Sequence, residues 1–116
     1  MAASKNKQHV SNKVKEHAIR DALKSRIGGM PEVLTPSGSI DLLTINEVIE
    51  VKHYRKWKEG IGQVMAYGSH YPSRTKRLHL FAPIEGDTRA SKYVELAESV
   101  CSTYGILVTF EEVVND

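Results

Sequence analysis

Residues Gly38 to Lys52 constrain this chain more than any other stretch, because they set ionisable side chains inside two short apolar runs. Ile40 to Ile45 alternates and is rich in Ile and Leu, and Glu47 to His53 repeats the pattern. Each is expected to form a strand, with Asn46 as the turn residue between them. Asp41, Glu50 and Lys52 lie within these runs. Charged groups inside strands are costly unless something partners them. Side chains alternate along a strand, so Glu50 and Lys52 share a face, about 7 Å apart. Two hairpin registers bring Asp41 to that face. A two-residue connection pairs Ile45 with Val48 and sets Asp41 opposite Lys52. A four-residue connection pairs Leu43 with Val48 and sets Asp41 opposite Glu50. A one- or three-residue connection turns Asp41 to the other side.

Two carboxylates beside a lysine suit a hard divalent cation such as Mg²⁺, which takes one or two carboxylates plus waters and substrate oxygens. Such a site can activate water near neutral pH and hold the negative charge that develops when a phosphodiester is hydrolysed. The lysine can orient or deprotonate the water, or stabilise the pentavalent phosphorane. The ordinary alternative is a hairpin with a solvated polar face.

Two further features bear on this. From about Ser11 to Arg26 the chain has helical periodicity, with Val14, Ala18, Ile19, Ala22, Leu23 and Ile27 as one apolar stripe. At about 100° per residue, Glu16 falls roughly 20° from Leu23, at the edge of the stripe, where a carboxylate is half-buried and wants a partner. Its alternative is solvent, or Arg20 four residues on. A second helix is expected from about Trp57 to His70, with Gln63 and Tyr67 on one face. A Gln there can hold a water or a phosphate, and a Tyr can donate from its hydroxyl.

With these residues in order, the chain resembles the PD-(D/E)xK, or restriction-endonuclease-like, nuclease superfamily over about residues 11 to 83. The Gly38-x-x-Asp41-Leu42-Leu43 run followed by Glu50-Val51-Lys52 is similar to virus-type replication-repair nucleases and archaeal-type Holliday junction resolvases. The Gln63-x-x-x-Tyr67 spacing is similar to that of RecB-like nucleases. One departure is Ile40, where many members carry Pro. The resemblance implies an α/β fold with a restriction-endonuclease-like core, a mixed β-sheet flanked by helices in the order αβββαβαβ. It implies a Mg²⁺-dependent DNA endonuclease, with Mn²⁺ able to substitute. Asp41, Glu50 and the Val51 carbonyl would ligate the metal, Lys52 would be the catalytic lysine, and Gln63 an accessory residue. Either Glu16 or Glu32 would be the third carboxylate. Substrates of junction, flap, repair, homing or restriction type are all compatible, with RNA as an alternative to DNA. A homodimer would present two sites to two strands. The competing class is a non-catalytic nucleic-acid-binding module on the same fold.

Charge is distributed to match a polyanionic partner. The 116 residues carry a formal net charge of only +2. Lys13 stands in the basic N-terminal region, and His53, Arg55, Lys56 and Lys58 directly follow Lys52, interleaved with Tyr54 and Trp57. Arg74 precedes the next strand, and the charged residues from Glu95 to Asp116 are all acidic. Basic residues interleaved with aromatics can hold phosphates and stack on unpaired bases, so His53, Tyr54, Arg55, Lys56, Lys58, Tyr67, Lys13 and Arg74 are the expected nucleic-acid contacts.

The remaining expectations concern organisation. Residues 1–10 read as a disordered basic tail and 11–116 as one domain. Strands are expected at Arg77–Pro83 and Ile106–Val114, with a helix at Ala90–Tyr104, an N-cap at Gly86-Asp87 and a C-cap at Gly105. No Gly-Lys-Ser/Thr loop is present, which argues against a nucleotide cofactor. No apolar run is long enough for a membrane span and no signal peptide is evident, so an intracellular location is expected. The single Cys101 reads as a packed thiol in a reducing compartment. Of the five His residues, only His53 borders the expected site.

Overall fold

The computed structural model describes residues 11–84 and 88–114. Helix α1 (Asn12–Ile27) leads into strands β1 (Met30–Thr35), β2 (Gly38–Leu43) and β3 (Glu47–His53). A 3₁₀ turn (Tyr54–Lys56) then opens helix α2 (Trp57–Gly68), followed by β4 (Thr75–Pro83), α3 (Ala90–Thr103) and β5 (Ile106–Val113). The expected αβββαβαβ order is thus observed. The strands form one mixed sheet in sequence order, antiparallel from β1 to β3 and parallel from β3 to β5. Parallel neighbours need crossovers, and α2 and α3 supply them. Both helices pack on one face, over Val48, Leu78, Leu80 and Ile106, while Ile19 and Leu23 of α1 cover Ile49, Val51 and Phe81 on the other. No described helix is long and apolar enough to cross a membrane.

Several boundaries move for identifiable reasons. β2 ends at Leu43 rather than Ile45, because Thr44 closes a four-residue turn. Its hydroxyl accepts from the Asn46 and Glu47 amides at 3.2 and 2.8 Å, and its own amide donates to the Glu47 carbonyl at 2.9 Å. Ile45 is left exposed at the tip. This is the four-residue register, with Leu43 opposite Val48 and Leu42 opposite Ile49. The α1 stripe is narrower than its periodicity implies: Ile19, Arg20 and Leu23 are buried, whereas Val14, Ala18, Ala22 and Ile27 are exposed. A single strip of helix is enough to cover the narrow apolar band of this face. α2 stops at Gly68, two residues early, and α3 follows Arg89; the Gly86-Asp87 cap lies outside the described residues. Gly105 takes a left-handed φ of 69° just after α3, as a C-terminal glycine does. Cys101 is packed in the core.

Strands β3 and β4 are covered on both faces and are accordingly almost wholly apolar through their centres. Glu50 and His79 are the exceptions, 2% and 4% exposed. His79 is satisfied within the sheet. Arg77 Nε donates to Thr109 Oγ1 at 3.1 Å, and Thr109 Oγ1 lies 2.6 Å from His79 Nδ1. His79 Nε2 lies 2.7 Å from Glu111 Oε2. The chain is self-consistent for a neutral ring that carries its proton on Nε2 and accepts from the Thr109 hydroxyl.

Burial lowers the His79 pKa below its ordinary value, only partly offset by Glu111. Below about pH 6.5 the unfolded chain therefore takes up this proton more readily than the folded one, and stability is lost as pH falls through that window. The melting-temperature advantage of the wild type over His79→Gln is expected to shrink between pH 8 and pH 5. A pH-independent difference would contradict a neutral buried ring.

Candidate functional site

The β2–β3 ladder runs through Leu43–Val48 and Leu42–Ile49, and at the next step side chains take over. The Asp41 amide donates to Glu50 Oε2 at 2.9 Å, and the Val51 amide donates to Asp41 Oδ2 at 2.8 Å. Two carboxylates thus cross the seam in opposite directions. The strand alternation breaks at the same point. Ile40 and Leu42 would share a face in a regular strand, yet they join cores on opposite sides of the sheet. On the other side of β2, Glu32 sits between the Pro31–Leu42 and Val33–Ile40 pairs, facing Asp41, with φ of +54°. A left-handed non-glycine residue stores strain of order 1 kcal/mol and occurs preferentially beside functional sites.

A cavity of about 280 Å³ opens over this seam between α1 and α2. Glu16 and Lys13 approach from α1, Asp41, Glu50 and Lys52 from the sheet, and Gln63 and Tyr67 from α2. The structure therefore brings together the carboxylates, the lysine, the glutamine and the tyrosine singled out in the sequence. Close packing sets their positions. A Cβ at Gly60 would lie 2.6 Å from Leu78 Cδ1 and 3.0 Å from Lys52 Cγ, so α2 rests directly on the lysine stem. A Cβ at Gly38, whose φ is +138°, would lie 2.8 Å from the Tyr67 ring and hydroxyl, so this glycine reserves the place of Tyr67.

The electrostatics are those of an acid cluster short of positive charge. Burial, reinforced by the charge of Asp41, pushes Glu50 up to about 9. Burial also raises Glu16; Lys52 opposes the rise, Asp41 adds to it, and a hydrogen bond from the His53 amide opposes it. Tyr67 is raised by burial and by the charges of Glu50 and Asp41. Gln63 Oε1 is buried without a hydrogen-bond partner among the described residues. An amide oxygen without a partner among the described residues and a carboxyl kept neutral by burial, in one cavity, have the chemistry to meet a cation and its waters. Among the described residues no three of His, Cys, Asp and Glu converge on one point. A cation here would take Asp41, Glu50 and a backbone carbonyl such as that of Val51, and fill its remaining positions with oxygens from water and substrate, which is the habit of Mg²⁺.

Of the two candidates for third carboxylate, Glu32 lines the cavity but is held by Arg20 Nη1 at 2.8 Å. Arg20 bonds Asp21 as well, at 3.0 Å. Glu16 is therefore the acid left facing Lys52. His17 and Ser39 also line the cavity and were not anticipated. Strand alternation placed Ser39 on the Asp41 face, and His17 lies one turn after Lys13; both signals were present in the sequence.

The expectation for Tyr54 requires correction, and Arg74, Lys58 and His53 lie outside the cavity lining. Tyr54 is 1% exposed and Trp57 is 7% exposed, so neither presents a ring for a base. The 3₁₀ turn sends the Tyr54 ring into the core, 5.4 Å from Tyr93, and its hydroxyl accepts from Arg55 Nε at 3.0 Å. Arg74 is turned away from the cavity. It stacks on Tyr71 at 4.9 Å and lines a separate groove with Ile27, Met30 and Ile45. Lys58 rests 5.7 Å from the Trp57 ring, beside another groove. His53 meets the site through its backbone amide rather than as a cavity-lining ring.

The chain is similar to proteins of Acanthamoeba polyphaga mimivirus. It is 39% identical over 95 residues to putative KilA-N domain-containing protein L33, a match covering 82% of this chain and 36% of the relative. It is 35% identical over 99 residues to putative KilA-N domain-containing protein R878, covering 85% and 26%. The match to putative KilA-N domain-containing protein L32 is 45% over 71 residues, covering 61% and 19%. The chain thus spans about a third or less of each relative's length. No family model and no solved structure matches it. These names overturn the resemblance to PD-(D/E)xK nucleases, because KilA-N denotes a DNA-binding domain family. That resemblance rested on a short, degenerate run of residues, whereas the relatives match over most of the chain.

The Glu50 environment yields a test. Between about pH 4.5 and about 9 the folded carboxyl keeps a proton that the unfolded chain has lost, so stability falls as pH rises through that window. Glu50→Gln mimics the protonated acid. In EDTA its melting temperature is expected to exceed the wild type's by a margin that grows between pH 5 and pH 9, reaching roughly 4 °C or more. An equal or lower melting temperature at pH 9 would show that Glu50 is not held neutral by its surroundings.

Proposed function

We propose that this domain binds DNA and hydrolyses its phosphodiester backbone at the cavity between α1 and α2, with a divalent cation. The binding half is supported by relatives named for a DNA-binding domain family. The chemical half is supported by one observation: the buried Glu50 carboxyl and the half-buried Asp41 carboxyl, each accepting a backbone amide across the seam at 2.9 and 2.8 Å, lie beside a lysine and an amide oxygen without a partner among the described residues. Burying acids this way is unfavourable unless a cation offsets them.

Asp41, Glu50 and the Val51 carbonyl would hold Mg²⁺ or Mn²⁺. The bound cation supplies a nucleophilic water near neutral pH and charge for the phosphorane oxygens. Glu50 must release its proton to serve, and Lys52, on the same face of β3, helps keep that charge. Lys52 also reaches into the cavity to orient the attacking water or stabilise the developing oxyanion. Gln63 Oε1 accepts a hydrogen bond from a water there, and the Tyr67 hydroxyl donates to a phosphate oxygen. Glu16, fixed by the His53 amide, adds a third acceptor. Two copies of the domain would offer two such cavities to two strands.

The second reading is a DNA-binding module without catalysis, which the relatives' names favour. Incubation with linear duplex, single-stranded, flap and four-way-junction DNA, and with RNA, in Mg²⁺ and in Mn²⁺, separates the two. Cleavage is expected, abolished by Asp41→Ala and by Glu50→Ala. Lys52→Ala should lower turnover about 10²- to 10⁴-fold with little change in Kd. Tight DNA binding by the wild type without cleavage of any substrate would leave the non-catalytic reading standing.

A further inference from the structure

The acids at the floor of the cavity stand in a fork of the sheet. β2 and β3 pair only through Leu42–Ile49 and Leu43–Val48, whereas β1 and β2 stay paired out to Thr35–Gly38. The β1–β2 hairpin therefore parts from β3, and Asp41 and Glu50 bridge the point of parting. Four walls surround the fork, and each is tied to the next. α1 is joined to β1 where Arg20 Nη1 donates to Glu32 Oε2 at 2.8 Å. The hairpin tip is joined to the end of α2: Ser37 Oγ lies 2.8 Å from His70 Nε2, and the Tyr67 ring occupies the space beside Gly38. α2 rests on the Lys52 stem of β3 at Gly60. β3 is joined back to α1, since Ile19 and Leu23 share one apolar cluster with Ile49 and Val51.

This closed circuit limits what can reach the floor. An open groove accepts a duplex laid across it, but a walled cavity is entered only by what fits its mouth. The volume of about 280 Å³ lies just below the roughly 300–1,000 Å³ of sites that take one small molecule. Glu50, at the floor, is 2% exposed. One phosphodiester with its sugar fits such a space, and two strands wound on paired bases do not. The walls carry donors suited to that one backbone. Lys13 and His17, one turn apart on α1, and Ser39 on β2 line the cavity and offer N–H and O–H groups to phosphate oxygens.

We propose that the cavity admits one unpaired strand, held by Lys13, His17 and Ser39, so that the domain cuts single-stranded DNA and unpaired arms and spares paired DNA. The proposal rests on the nuclease function proposed above and names its substrate class. A paired strand reaches the acids only after a nucleotide is drawn out of the stack, at the cost of unpairing and unstacking it.

Cleavage in Mn²⁺ of one labelled strand tests this, with the strand alone, annealed into a blunt duplex, or annealed to leave an unpaired arm. The single strand and the arm are expected to be cut at similar rates, and the blunt duplex roughly 10²-fold more slowly, the rate equivalent of opening a base pair. A second measurement needs no metal. In EDTA, Lys13→Gln is expected to make the slope of log K against log salt shallower by about 0.7 for the single strand, the share of one phosphate, and to leave the slope for the duplex unchanged. Lys13→Arg keeps the charge and should retain both slopes, which excludes a folding defect as the cause. A blunt duplex cut as fast as the single strand, or a single-strand slope untouched by Lys13→Gln, overturns the unpaired-strand assignment while leaving the nuclease standing. A wild-type chain that cuts none of the three substrates defeats the nuclease function itself, and the substrate class with it.

Discussion

Two carboxylates crossing one strand seam organise this domain. Where β2 and β3 would continue their ladder, Asp41 and Glu50 each accept a backbone amide from the opposite strand. The amides stay satisfied, as buried donors must, while both acids are locked at the floor of a cavity. The arrangement is unfavourable in isolation, since Glu50 is buried and kept protonated by burial and by its neighbour's charge. The surrounding structure overrides that penalty. Glycines at 38 and 60 let Tyr67 and the Lys52 stem approach closely, and the helices on either side wall the acids in.

Much of this was legible in the chain because strands and helices impose rigid periodicities. Alternation placed Glu50 and Lys52 on one face, and the 3.6-residue period placed Glu16 at the edge of the α1 contact and Gln63 with Tyr67 on α2. What the sequence left open was the hairpin register. The hydroxyl of Thr44 decides it by capping a four-residue turn, and a local side-chain bond of that kind has no periodic signature.

The misreading of Tyr54 has a local cause. Basic and aromatic residues alternate after Lys52, which resembles an exposed nucleic-acid track, but the 3₁₀ turn divides them by face. Tyr54 and Trp57 go inward, and Arg55, Lys56 and Lys58 stay exposed. Arg74 lies next to β4 in the chain yet opens onto a different groove. The Glu32 backbone, the Arg20–Glu32 pair and the His79–Glu111 pair depend on long-range contacts that composition cannot reveal. The mimiviral relatives carry the name of a DNA-binding domain family, and the hydrolysis proposed for the cavity goes beyond what those names say.

The central claim is that the Asp41–Glu50 pair is built to receive a cation. Anomalous diffraction from crystals grown with Mn²⁺ tests it most directly. The account expects a manganese peak bonded to carboxylate oxygens of both residues, lost in an Asp41→Ala crystal. Fully occupied manganese elsewhere, with the two crossed hydrogen bonds to backbone amides intact and no peak between the acids, would contradict it.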